Sequence, residues 1–129
     1  MQIKFVSVLV KDQEAALKFY TEKLGFVKMT DISLGEYRWL TVVSPDGIAG
    51  VELLLEPMGF PPSQVYQKAL FDAGVPMTAM ISRDIQAEVQ RLKSLGVVFR
   101  GEPQEAGWGT NVLFEDGCGN LINLVQLKG

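Results

Sequence analysis

Glu52 is the side chain best placed for acid–base chemistry, a carboxylate set among Val51, Leu53 and Leu54 in a run that reads as a central strand. Such a group must be paired, hydrogen-bonded or protonated, because burying a lone charge is costly. Arg38, in the strand-like run Tyr37-Arg38-Trp39-Leu40, is the candidate partner. Left unpaired, Glu52 would have a raised pKa and could act as general acid or base. The one thiol, Cys118, lies in the turn Asp116-Gly117-Cys118-Gly119-Asn120, and the chain contains no histidine to activate it. The absence of histidine also excludes Ser-His-Asp and Cys-His catalysis and every metal site that relies on imidazole. Gly59, Gly74 and Gly96 are isolated, so no phosphate loop or dinucleotide fingerprint is present. No cofactor is expected.

Composition narrows the classes further. A chain of 129 residues fits one domain, and its apolar content of 47% supports a core without disulfide or metal staples. The net charge of −3 argues against a basic nucleic-acid-binding face. One cysteine gives no disulfide framework. No run approaches the ~20 apolar residues of a membrane span, and Met1-Gln2-Ile3-Lys4 opens straight into an alternating strand. The expectation is a soluble cytoplasmic protein that binds neither nucleic acid nor membrane.

The elements that must position these side chains follow from periodicity. Residues 3–10 read as a strand, with Phe5 and Ser7 on one face and Val6, Val8 and Val10 on the other. Asp12 is a helix N-cap, and Ala16, Phe19, Tyr20 and Leu24 give an apolar stripe ending at Gly25. Strands are expected near 26–31, 37–44 and 50–56, with a turn at Ser44-Pro45-Asp46-Gly47. A Pro-rich break at 57–62 leads to a short helix from Ser63 to Ala73. The pattern then restarts: a strand at 77–82, a helix from Asp84 to Leu95-Gly96, and strands near 97–101, 107–114 and 120–127. Asp12 and Asp84 are 72 residues apart, Leu24-Gly25 and Leu95-Gly96 are 71, and Asp46-Gly47 and Asp116-Gly117 are 70. The halves read as duplicated βαβββ modules.

The paired modules, with VLVKDQEAALKFYTEKLGF in the first and DGCGNLINLVQ closing the second, resemble the vicinal oxygen chelate superfamily of glyoxalases, bleomycin-resistance proteins and extradiol dioxygenases. The resemblance covers essentially the whole chain. It implies an α+β fold in which two βαβββ modules, in pseudo-two-fold arrangement, form an open mixed barrel around a cavity. On that basis residues 1–129 are one domain, with modules at 1–56 and 77–129 and a connector at 57–76. Metal-dependent members place two ligands in each module. Those positions fall on Phe5, Glu52, Met77 and Asn123, with the repeat pairing Phe5 to Met77 and Glu52 to Asn123. A phenyl ring has no lone pair, a thioether is soft and a carboxamide is weak, so no transition-metal site is expected.

What the resemblance implies instead is a small-molecule site. Phe5, Ser7, Arg38, Trp39, Glu52, Met77, Trp108 and Asn123 are its expected ligand-binding residues, with Asn123 able to donate to Glu52. Trp39 and Trp108 precede Thr41 and Thr110 and read as matching aromatics, either rim residues or barrel packing. Residues 101–105 read as a flexible access segment. The leading function is metal-free binding of a small, partly apolar molecule, as in drug-sequestering members. The alternatives are a metal-independent or unusually ligated lyase, isomerase or dioxygenase-like enzyme using Glu52 as acid or base, and a non-catalytic structural or regulatory subunit with a filled cavity. Bare sheet edges favour a homodimer.

Overall fold

Strand β1 (Phe5–Val10) keeps the alternation read from its sequence at its far end only: Val8 and Val10 are buried and Phe5 and Ser7 exposed, but Val6, read with the buried valines, is exposed as well. The computed structural model describes residues 1–129, which separate into two units, Met1–Tyr66 and Gln67–Gly129. After β1 the first unit holds α1 (Gln13–Lys18), a π-helical turn (Phe19–Lys23), β2 (Val27–Leu34), β3 (Tyr37–Val43) and β4 (Glu52–Pro57). Helix α2 (Pro61–Asp72) spans the division. The second unit continues with β5 (Thr78–Ile81), α3 (Ile85–Ser94), β6 (Phe99–Ala106), β7 (Gly109–Glu115) and β8 (Leu121–Leu127).

Each unit is a βαβββ module with one four-stranded mixed sheet, ordered β1-β4-β3-β2 and β5-β8-β7-β6. The first strand of each runs parallel to the last, and the other pairs are antiparallel. This is the α+β class expected from the sequence, and neither sheet closes on itself. Asp12 and Asp84 cap their helices by accepting from the amides of Ala15 and Ala87 at 3.0 and 3.1 Å. Ala16 and Tyr20 are buried with Val8, Val10, Leu40, Val42 and Leu55, so one sheet face packs under the helix. In the second unit Ile85, Val89 and Leu92 do the same with Val112, Phe114, Ile122 and Leu124. Each such large side chain contributes roughly 1.5–3 kcal/mol by leaving water.

Three local departures matter for the site. The first helix widens at Phe19–Lys23, where the Leu24 amide reaches back to the Phe19 carbonyl at 3.3 Å and the Thr21 hydroxyl donates to the Leu17 carbonyl at 2.7 Å. Leu24 follows Asp12 by twelve residues, whereas Leu95 follows Asp84 by eleven. Second, β3 and β4 pair only at Thr41–Leu54 and Val42–Leu53, while β7 and β8 pair from Gly109–Leu127 to Glu115–Leu121. Gln13 fills the resulting gap: its Nε2 donates to the carbonyls of Arg38 (2.7 Å) and Leu55 (2.9 Å), and its Oε1 accepts from the Arg38 amide (3.0 Å). A side-chain amide thus stands in for a missing strand peptide. Third, residues 101–105 are not a flexible segment but lie inside β6. A register shift between Arg100 and Gln104 accommodates Gly101 and Pro103 on this edge strand.

Candidate functional site

Glu52 begins β4 and is buried, and it is paired. The Thr41 hydroxyl donates to its Oε1 at 2.7 Å, and the Lys4 ammonium lies 3.1 Å from Oε2. Thr41 in turn accepts from the Thr30 amide at 3.1 Å, which fixes its hydroxyl toward the carboxylate. The Thr41 hydrogen bond, followed by Lys4, holds the Glu52 pKa below the ordinary glutamate value. Arg38 is not the partner. It sits on the helix-packed face, where Nη2 meets Asp31 at 2.8 Å and Nη1 meets Glu14 at 3.3 Å. Alternation along β3 explains the error: Arg38 and Trp39 are adjacent in a strand and so point to opposite faces.

The face that the helix leaves open carries Phe5, Ser7, Trp39, Thr41 and Glu52, as the registers Phe5–Glu52, Ser7–Leu54 and Thr41–Leu54 require. Phe5 and Trp39 meet edge to face, with centroids 5.4 Å apart and planes at 83°. The Lys4 ammonium lies 5.6 Å from the Phe5 centroid, within cation–π range. Ile32 lies opposite Trp39, and Leu34 opposite Tyr37, all on this face. Phe5, Ile32, Leu34 and Tyr37 are exposed and Trp39 is half-buried. The first unit therefore presents an aromatic surface beside a neutralised carboxylate.

The second unit holds Met77, Trp108 and Asn123. Met77 immediately precedes β5, half-buried, with its amide on the Leu121 carbonyl at 2.8 Å. Asn123 lies opposite Ala79, not opposite Met77. This corrects the repeat. Ala79 is 72 residues beyond Ser7, and Ser7 lies opposite Leu54, so Leu54 is the counterpart of Asn123. Likewise, Leu113 opposite Asn123 matches Thr41 opposite Leu54, which makes Asn111 the counterpart of Trp39. Trp108 corresponds to Glu36: both lie in the turns that join the second and third strands of their modules. Trp39 and Trp108 are thus not matching residues. Asn111, whose Nδ2 donates to Asn123 Oδ1 at 2.9 Å, was missed because its only signal in the sequence is an amide within a strand.

A metal ion does not fit these residues. No three His, Cys, Asp or Glu side chains gather to hold one. Each oxygen of Glu52 already faces a partner, Oε1 the Thr41 hydroxyl and Oε2 the Lys4 ammonium, and the position on β4 that matches Asn123 is Leu54.

Comparison with known proteins agrees with this architecture. Residues 2–124 match the family model described as Glyoxalase/Bleomycin resistance protein/Dioxygenase superfamily. The uncharacterized protein YurT of Bacillus subtilis (strain 168) is 51% identical over 126 residues, covering 98% of this chain and 99% of that one. Among solved structures, UcmS2 superposes with a TM-score of 0.83 at 32% identity, covering 97% of each chain. TnmS3, an antibiotic binding protein from Streptomyces sp. CB03234, gives 0.76 at 30% identity over 99% of this chain and 97% of its own.

Proposed function

This chain belongs to the glyoxalase/bleomycin resistance protein/dioxygenase superfamily, and from that premise we propose that it binds a small, partly apolar molecule without a transition metal. The observation that carries the proposal is the pairing of the exposed Phe5 ring with the half-buried Trp39 ring on the open face of the first sheet. Exposed apolar side chains gathered on one face mark a surface that something covers. The likeness to an antibiotic-binding protein supports a small-molecule ligand, and the aromatic pair favours a flat one. The paired state of Glu52 weighs against the enzymatic alternative: an ionised carboxylate with a lowered pKa has no proton to give near neutral pH and is a weakened base. A homodimer in the cytoplasm completes the proposal, with an expected sedimentation mass of two chains at micromolar concentration.

A panel of planar aromatic antibiotics tests the binding. A ligand held at 100 times its Kd stabilises the fold by about 2.7 kcal/mol and raises Tm. Trp39→Ala and Phe5→Ala are each expected to weaken it roughly 2- to 12-fold, the range for an aromatic pair. A panel that neither raises Tm nor changes tryptophan fluorescence refutes the proposal. Chelator-insensitive turnover that is lost in Glu52→Gln would establish the enzymatic alternative in its place.

A further inference from the structure

Asparagine is depleted in strand interiors, yet Asn111 on β7 and Asn123 on β8 lie one diagonal step apart with their side chains on the same face. Leu113, Val125 and Ala79 surround them on that face. The matching positions of the first sheet hold Trp39 and Leu54, so the fold does not itself require amides here. The single bond from Asn111 Nδ2 to Asn123 Oδ1 consumes one donor and one acceptor. It leaves the Asn111 carbonyl and the Asn123 amide hydrogens without a partner in the protein. Both side chains are half-buried among apolar neighbours, where a matched hydrogen bond is stronger than in water.

The rest of that face is occupied at one end. Gln67 Nε2 donates to the Cys118 carbonyl and to Asn120 Oδ1, both at 3.1 Å, and the Arg100 guanidinium lies 5.1 Å from the Phe71 centroid. Leu121 is fully buried there, and the face opens two residues on, at the asparagine pair.

We propose that Asn111 and Asn123 form an amide-reading subsite for a ligand that carries a carbonyl beside an N–H, as lactams, imides and primary carboxamides do. The free Asn123 Nδ2 hydrogens donate to the ligand carbonyl, and the side-chain carbonyl oxygen of Asn111 (Oδ1) accepts from the ligand N–H. The subsite deepens the small-molecule reading and rests on it.

The test uses the full chain and two probes, 2-quinolone and N-methyl-2-quinolone, which differ in the one N–H donor and the methyl group that replaces its hydrogen. Titration is followed by the side-chain amide resonances of Asn111 and Asn123 and by tryptophan fluorescence. The expected result is that 2-quinolone shifts both asparagine amides and binds at least about tenfold more tightly than its N-methyl analogue, since a site built to hydrogen-bond an N–H rejects the molecule that lacks it. Asn111→Leu and Asn123→Leu should abolish that preference, which a mere clash with the methyl group would leave in place, and if a variant fails to fold the shifts of both wild-type asparagine amides with 2-quinolone decide the matter. Equal affinities overturn the subsite, as does the absence of binding by either probe. Antibiotics that bind and leave the asparagine resonances unmoved also overturn it, while the broader binding proposal survives. A panel in which no compound binds removes both.

Discussion

At the scale of single residues, Thr41 is the hinge of the polar cluster, because its hydroxyl accepts from the Thr30 amide while donating to Glu52. Thr41→Val preserves shape and removes both bonds in a fully buried position. It is expected to lower unfolding free energy by about 1–3 kcal/mol in denaturant titration. Asp31 gives a pH prediction. The Arg38 hydrogen bond draws its pKa from 3.8 down to about 2. A carboxylate with a depressed folded pKa adds stability that is fully present above the unfolded value and fades as pH falls through the folded one. Stability should therefore decline between about pH 4 and pH 2, and Asp31→Asn should remove Asp31's share of that decline. Glu52 was legible as a carboxylate needing a partner, since its apolar neighbours announce the problem. Its actual partner was not legible, because nothing in the spacing ties Lys4, at the start of the strand read over residues 3–10, to residue 52.

Among elements, the split between β3 and β4 depends on Gln13. Gln13→Ala strands the Arg38 amide and two carbonyls, and it should cost roughly 2–3 kcal/mol at about 1 kcal/mol per bond. Hydrogen exchange should show the Arg38 amide losing protection first, ahead of Val42, whose strand pairing is intact. Helix caps, the two Leu-Gly terminators and the two Asp-Gly turns announced most elements, because each rests on local backbone chemistry that a sequence states outright. Strand β6 was read too short for the same reason. Gly101 and Pro103 punctuate a sequence as breaks, yet an edge strand with a register shift absorbs both. Register across strands was the least legible layer, and it decides that Leu54 and not Glu52 corresponds to Asn123.

For the molecule as a whole, the resemblance carried by two short segments extended to the entire chain, since every strand and helix of one module has a counterpart in the other. The widened turn at Phe19–Lys23 bears on how the halves came to differ. It lies within the stretch where the first module counts one residue more than the second, so it reads as an insertion absorbed as a bulge while the buried stripe kept its bearing. Such a record is reversible. Deleting Glu22, which is exposed, should restore an ordinary helix and leave cooperative unfolding intact by circular dichroism. Deleting Gln90 from α3, which has no spare residue to give up, should swing Leu92 out of the core and abolish the transition.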